Sequence, residues 1–156
     1  MLPAIAAILA GLAAPPAGAA DTKPLAVTTV VLSRSNCQFS TNAAATLDFG
    51  TLNPAGGANA VTSASINARC IGSANSATFL VTRNGGLHGA AGQNQMRHAS
   101  VTTEFLPYTL AISPSSGTVL KNQVFAVSVT GTILGSNYRS ARVGSYSDTV
   151  VLTINP

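Results

Sequence analysis

The chain has 156 residues, of which 46% are hydrophobic and only 8% are charged, and its net charge is +4. This length suits a single domain. The eight Lys and Arg residues are scattered along the chain without aromatic residues between them, which argues against nucleic-acid binding. A weakly charged surface rich in Ser, Thr, Asn, Gly and Ala is common on secreted β proteins that assemble with copies of themselves.

Residues 1–20 form an uncharged apolar run that ends in small residues up to Ala19 and Ala20. The run is too short and too rich in alanine to suit a membrane span, and its small-residue end resembles a signal-peptidase site. We therefore expect a secretory signal rather than an integral membrane protein. The alternative is a buried hydrophobic helix, which Pro15 and Pro16 would break.

The segment Leu25–Leu32 follows the signal and is rich in β-branched residues, which indicates a strand. Its register is ambiguous. The odd-numbered positions, including Leu25, Val27 and Val31, carry the larger apolar face, whereas the even-numbered positions carry a competing one. We assign residues 21–33 to an N-terminal extension and residues 34–156 to the folded domain.

Alternating apolar residues predict further strands in this domain, bounded by Gly, Pro and Asn turns. The predicted strands are Thr46–Phe49, 60–70, Ala77–Arg83, Phe105–Ser113, Lys121–Ile133 and Thr149–Ile154. We interpret Gly85-Gly86 as a hairpin turn, 114–117 as a turn and 88–100 as a loop. Short strands at this spacing, with no helical period, predict an all-β, antiparallel β-sandwich.

Cys37 and Cys70 are the two cysteines of the chain. An exported protein meets an oxidising compartment, so we expect these cysteines to form one disulfide. A metal site is disfavoured because the sequence has no CxxC motif, and His88 and His98 lie far from both thiols. We expect neither a metal nor a cofactor.

The sequence gives little support for an enzyme. Its acidic residues and histidines do not sit in hydrolase, metalloprotease or nucleotide-binding motifs. We interpret His98 as a solvated loop residue, and Asp148 as a residue that caps its own turn or pairs with Arg139 or Arg142. A secreted hydrolase remains an alternative, although any Ser-rich chain offers a Ser, a His and an Asp.

Several ordered motifs of the domain resemble those of the spore coat protein U family, whose domain is shared with pilins of the archaic chaperone–usher pathway. The motifs are Cys37, Leu47–Leu52, Ile66–Cys70, Phe79–Val81 with Gly85-Gly86, Pro107–Leu110, Val129–Ile133, and a terminal Gly144-x-Tyr146-x-Asp148. The resemblance covers nearly all of the chain after the signal, and the ordered set is more specific than any one motif.

This resemblance implies an incomplete immunoglobulin-like sandwich that lacks its final strand. A periplasmic chaperone and an outer-membrane usher are the implied partners, and the N-terminal strand of another pilus subunit is the implied completion. The implied product is a surface fibre that serves adhesion and biofilm formation. The alternatives are a spore or cell-surface coat protein, or a tip adhesin that binds a surface or a glycan.

The residues themselves support a donated strand. The predicted strand Thr149–Ile154 is followed by Asn155 and Pro156 only, so we expect its further neighbour to come from elsewhere. The isolated segment before Cys37 could supply that neighbour in another subunit, with Leu25, Val27 and Val31 entering the groove. The alternative is that the segment folds back onto its own sheet, which would give a stable monomer.

Overall fold

A computed structural model describes residues 25–31, 33–40 and 45–156. The predicted signal, residues 1–20, lies outside the described residues. Within them the folded domain consists of strands, turns and one helical turn. The strands are β1 (Ser35–Phe39), β2 (Ala60–Gly72), β3 (Ser76–Arg83), β4 (Asn94–His98), β5 (Phe105–Ser113), β6 (Ser116–Leu120), β7 (Val124–Ile133), β8 (Tyr146–Ser147) and β9 (Leu152–Asn155), and the helical turn is α1 (Gly135–Tyr138).

Two antiparallel sheets form the domain. The larger has six strands in the order β1-β2-β7-β5-β4-β8, and the smaller has three in the order β6-β3-β9. Their inner faces share one core, in which Ala68 and Val127 of the larger sheet meet Phe79 and Val81 of the smaller. The predicted antiparallel β-sandwich is therefore confirmed.

The long strand β2 shows why alternation predicts this fold well. Its even-numbered residues turn toward the core, and Ala68 and Cys70 are buried there, while odd-numbered residues such as Ser63 and Arg69 are exposed. Side chains of successive strand residues point to opposite faces, so one apolar face and one polar face result. Strands β3 and β5 follow the same rule, as predicted.

The disulfide joins two neighbouring strands of the larger sheet. Cys37 and Cys70 are direct cross-strand partners in the β1–β2 ladder, and their sulfur atoms are 2.01 Å apart. Both side chains are buried in the shared core. The predicted pairing is confirmed, and it fastens the edge strand β1 to the sheet.

The predicted strand Thr46–Phe49 is wrong as a paired strand. Leu47 and Phe49 are half-buried and Asp48 is exposed, so the alternation is correct, but no ladder joins this segment to a described strand. Asp48 Oδ1 accepts a hydrogen bond from the Gly50 amide at 2.8 Å, and Gly50 adopts φ +64°. The extended run therefore ends in a turn that the side chain of Asp48 stabilises.

The predicted 88–100 loop is also wrong, because it contains β4. This strand pairs with β5 on one side and with β8 on the other. Its buried residues are Asn94, which is 1% exposed, and His98, which is 5% exposed. A search for apolar alternation misses such a strand, because the residues it buries are polar.

Two turns differ from the prediction. The 114–117 turn is shorter, because Ser116 and Gly117 belong to β6; a Cβ at Gly117 would stand 3.1 Å from the Phe79 ring. Strand β7 therefore begins at Val124 rather than at Lys121.

Gly85-Gly86 is not a hairpin turn, since residues 84–93 lead from β3 in the smaller sheet to β4 in the larger.

No helix among the described residues is long and apolar enough to cross a membrane.

Candidate functional site: a groove between the sheets

The candidate site begins at strand β9, which has a neighbour on one side only. It pairs with β3 in the register Val81↔Ile154 and Arg83↔Leu152. No other described strand is hydrogen-bonded to it. The predicted strand Thr149–Ile154 thus lies close to its observed place, although the ladder assigned to it begins later, at Leu152.

The inward-facing residues of β9, Leu152 and Ile154, direct their backbone hydrogen-bonding groups toward the free side of the strand. The carbonyl of Val151 accepts a hydrogen bond from the Asn84 amide at 3.1 Å, which directs the odd-numbered residues toward β3. In an antiparallel ladder, alternate residues direct their N–H and C=O groups to opposite sides. The N–H and C=O groups of Leu152 and Ile154 therefore point to the free side, and an unpaired strand edge of this kind is a template for another strand.

A groove of about 560 Å³ lies beside this edge, between the sheets. Its floor is the inner face of the larger sheet, and it is flanked by residues 45–49 and 147–152. Ala64, Ile66, Leu110 and Val129 contribute apolar side chains to the floor. Ile66 and Leu110 are only half-buried, so core-facing apolar surface is open here. We call this feature the inter-sheet groove.

A second cavity, of about 540 Å³, continues the groove toward the other end of the sandwich. The two share Leu47, Phe49, Met96 and Tyr146 as lining residues. Gly131 lies beneath the shared part, and a Cβ there would stand 2.7 Å from the Phe49 ring. The two cavities are therefore adjacent, and the second also has Asp48 and Arg142 in its lining.

Asp148 is the charged side chain in the lining of the inter-sheet groove. Its Oδ1 accepts hydrogen bonds from the amides of Leu87 at 2.9 Å and His88 at 3.3 Å, and its Oδ2 accepts one from the Tyr108 hydroxyl at 2.7 Å. Burial and the bond to Asp148 together raise the pKa of Tyr108 above its usual range. The hydroxyl therefore stays protonated and acts as a donor.

The prediction that Asp148 caps its own turn or pairs with Arg139 or Arg142 is wrong, because its partners are Leu87, His88 and Tyr108. Neither arginine is a hydrogen-bond partner of the carboxylate, which is saturated by two backbone amides and a hydroxyl. Arg139 instead packs its guanidinium group across Gly57. Both carboxylate oxygens of Asp148 are thus engaged within the domain, and the other residues that line the groove are uncharged.

His98 is buried against residues 143–146, which lead into the flanking segment, and this corrects its interpretation as a solvated loop residue. Its Nδ1 accepts hydrogen bonds from the amides of Ser100 and Val101, each at 3.0 Å. This arrangement assigns the ring N–H to Nε2, which donates a hydrogen bond to the carbonyl of Val143 at 3.1 Å. All polar atoms of the buried ring are thus satisfied by backbone groups of the domain.

The three residues of the terminal motif occupy one continuous segment along the groove. Gly144 lies against the His98 ring, where a Cβ would overlap the imidazole, and its φ of +149° also favours glycine. Tyr146 meets the same ring edge-on with 5.0 Å between centroids, and its hydroxyl donates to the carbonyl of Arg142 at 2.8 Å. Asp148 forms the contacts given above, so each motif residue fixes this segment to the rest of the domain.

The residues predicted to enter a groove, Leu25, Val27 and Val31, are exposed to solvent in this structure. In residues 25–31 no strand is formed, and Leu25, Val27 and Val31 are 85%, 84% and 88% exposed. Exposed apolar surface that is contiguous in this way is characteristic of interaction sites. The part of the chain that the structure describes contains no group of three or more His, Cys, Asp or Glu residues that could hold a metal ion.

Sequence reasoning missed two parts of this site. The Tyr108–Asp148 hydrogen bond joins residues 40 positions apart, and nothing in either local pattern pairs them. The structural role of His98 was missed because its partners are backbone groups, which no sequence motif displays. The spacing of Gly144, Tyr146 and Asp148 was the one available signal, and it marked the correct segment without revealing its contacts.

These features define a class: an immunoglobulin-like antiparallel sandwich with an unpaired strand edge beside an open apolar groove. The chain belongs to the Spore Coat Protein U domain family, whose model matches residues 21–153. This agrees with the family that the sequence motifs resemble. No curated protein matches the chain.

Solved structures with a similar fold include two complexes. One match is a chain of a chaperone–tip adhesin complex of CFA/I fimbriae, with 16% sequence identity and a TM-score of 0.49. The aligned region covers 78% of this chain and 42% of that chain. Another is a chain of the CsuC–CsuE chaperone–tip adhesion subunit pre-assembly complex, from archaic chaperone–usher Csu pili of Acinetobacter baumannii. It has 21% sequence identity and a TM-score of 0.47, and the aligned region covers 77% of this chain and 39% of that chain. This chain therefore spans about two fifths of the length of either.

Proposed function

We propose that this protein is an exported structural subunit that polymerises into surface fibres by donor-strand exchange. One observation carries the proposal: the unpaired edge of β9 lies beside an open apolar groove in an otherwise well-packed domain. An added strand would pair with the free N–H and C=O groups of Leu152 and Ile154 and would cover the groove at the same time. The proposed occupant is a strand from another subunit.

The N-terminal extension, residues 21–33, is the proposed donor. Its segment Leu25–Leu32 is uncharged, which suits an apolar groove whose lining carries one satisfied carboxylate. Full burial of Leu25, Val27 and Val31 contributes roughly 1.5 to 3 kcal/mol each, or about 4 to 9 kcal/mol before the cost of ordering the strand. Contact at these three positions therefore decides whether subunits join.

The same groove implies partners before assembly. An unfilled groove exposes core-facing residues such as Ile66 and Leu110, and exposed apolar surface beside a free strand edge favours aggregation. A periplasmic chaperone would cover the groove during transit, and an outer-membrane usher would exchange that chaperone for the next subunit. This assigns residues 1–20 as the export signal, the periplasm as the transit compartment and the cell surface as the destination. The family resemblance supports this route, and the proposed role is structural rather than enzymatic.

Val27→Asp tests the proposal. The substitution places a charge in the donor face, so we expect electron microscopy to show loss of fibres, while the variant domain still binds an added peptide of residues 25–32. Ser63→Asp is the matched control, because Ser63 is on the exposed outer face of β2 and remote from the groove. Thr28→Asp decides the register: fibres persist if the odd-numbered face enters the groove and vanish if the even-numbered face does.

Two results would contradict the proposal. One is normal fibres from both the Val27→Asp and the Thr28→Asp variants. The other is a chain lacking residues 21–33 that is as stable and as monomeric as the parent and does not respond to the peptide; this result would support the fold-back alternative. Cells that display the protein without fibres would support the coat-protein alternative instead.

A further inference from the structure

We infer that Asp148 is a positioning residue for strand acceptance: its carboxylate fixes the segment 147–152 so that the edge of β9 is ready to receive a strand. The inference rests on the proposed function and names the residue that prepares the groove for it. Asp148 itself is not required to touch the incoming strand. It acts through the backbone of the segment that leads from β8 to β9.

The segment that Asp148 holds crosses from one sheet to the other. Ser147 ends β8, which pairs with β4 in the larger sheet, and Leu152 begins β9, which pairs with β3 in the smaller. Asp148 is the first residue of the crossing. Its bond to the Tyr108 hydroxyl ties the crossing to the floor strand β5, and its bonds to the amides of Leu87 and His88 tie it to the connection between β3 and β4.

The connection between β3 and β4 is shaped around this carboxylate. Gly86 adopts φ +85°, and a Cβ at that position would overlap Asp148 Oδ2. The Gly86 amide donates to Asn84 Oδ1 at 3.1 Å, and Asn94 Nδ2 donates to the Gly85 carbonyl at 2.7 Å. The backbone that donates to Asp148 is therefore itself held in place, partly by the buried Asn94 side chain.

Further bonds continue from Asp148 along the crossing toward β9. The Leu87 amide also donates to the Thr149 carbonyl at 3.0 Å. Asn84 bonds Val151 twice, its amide donating to the Val151 carbonyl at 3.1 Å and its Oδ1 accepting from the Val151 amide at 2.9 Å. These bonds set which backbone groups face β3 and hence which face the free side. Asp148 lies at the start of this series, where the chain leaves the larger sheet.

A carboxylate suits this place because three donors converge on it. An amide at position 148 would have one acceptor oxygen in place of two, so either the Tyr108 hydroxyl or the Leu87 and His88 amides would lose their acceptor. Hydrogen bonds to a charged acceptor are the stronger kind, and a buried donor such as the Tyr108 hydroxyl is costly to leave without a partner. The crossing would then sample other arrangements, and an incoming strand would have to order it on binding.

The test uses the exported full-length chain carrying Val27→Asp, which disables its own donor and leaves its groove free. In this parent we compare Asp148→Asn, Tyr108→Phe and the control Ser63→Ala, which removes an exposed hydrogen bond to Thr130 on the outer face of the larger sheet. The measured quantities are the Kd of a fluorescent peptide of residues 25–32 and the hydrogen exchange of the amides at 149–152.

We expect Asp148→Asn to raise the Kd by about tenfold or more and to speed exchange at 149–152. Tyr108→Phe should raise the Kd by a smaller factor, and the double variant should bind more tightly than the product of the two single effects predicts. Ser63→Ala should change neither quantity. A role confined to global stability would lower the unfolding midpoint of Asp148→Asn and leave the Kd of the folded protein as it was.

Failure of this inference and failure of the proposed function give different results. If the parent binds the peptide and Asp148→Asn binds it equally well with unchanged exchange, the positioning role is wrong and strand acceptance stands. If the parent itself binds no peptide, strand acceptance is wrong and the positioning role is wrong with it. If Asp148→Asn does not fold, Tyr108→Phe decides, because an unchanged Kd for that variant would overturn the inference.

Discussion

Removal of the disulfide should cost a large fraction of the unfolding free energy of the domain. Replacing Cys37 and Cys70 by alanine opens a loop with a sequence separation of 33 residues. The loop-entropy relation gives about 3.5 to 4 kcal/mol for such a loop. Both sulfur atoms also leave the core, where the two residues are 5% and 1% exposed, so lost packing adds to the entropic term. We expect a total loss of about 4 to 5 kcal/mol.

The measurement is urea denaturation of the Cys37→Ala/Cys70→Ala variant and of its parent, which here is the protein without substitutions. The groove of each is filled by the peptide of residues 25–32. The shared peptide keeps the folded state the same in both proteins, so the difference in unfolding free energy reports the bond. Dithiothreitol treatment of the parent is the control, because reduction should reproduce most of the loss without changing the sequence. A loss below about 1 kcal/mol would refute the reasoning, because it would mean that the β1–β2 ladder holds without the bond.

Two further predictions concern the buried polar contacts. Gly144→Ala should lower the unfolding free energy by about 1 to 3 kcal/mol, since its Cβ meets the His98 ring at a backbone angle that favours glycine; thermal denaturation measures this, and an unchanged midpoint would contradict it. The pKa of Tyr108 is raised in the folded protein, so folding favours the protonated hydroxyl. This stabilises the fold at pH values below the usual tyrosine pKa near 10, and the stabilisation is lost as the pH rises further. Stability should therefore fall more steeply above pH 10 in the parent than in Tyr108→Phe; equal slopes would contradict the assignment.

The fold could be predicted from the sequence wherever alternation and burial coincide. Strand β2 buries small and branched residues at even positions, so its pattern indicates both the strand and its inner face. The segment Thr46–Phe49 shows the limit of the method. Its alternation correctly places Leu47 and Phe49 toward the groove, but pairing depends on a neighbour, and no described strand supplies one.

The polar parts of the site could not be predicted, for a different reason. Strand β4 buries Asn94 and His98, whose polar atoms are satisfied by backbone groups that the fold brings to them, such as the carbonyls of Gly85 and Val143. Hydropathy scores such residues as exposed, because it cannot represent a partner that only the folded chain brings near. The contacts of Asp148 were hidden in the same way, which is why an arginine seemed the natural partner.

The position of the disulfide has a mechanical consequence if the chain is a fibre subunit. Tension along a fibre would reach each domain through residues 25–33, and the first strand to bear it is β1, at the edge of its sheet. An edge strand pulled from its end can peel away one hydrogen bond at a time. The covalent bond from Cys37 to Cys70 stops that peeling at the third residue of β1 and passes the load to β2, which is bonded on both sides. A fibre subunit of this kind would thus be reinforced at the point where pulling would start to unravel it.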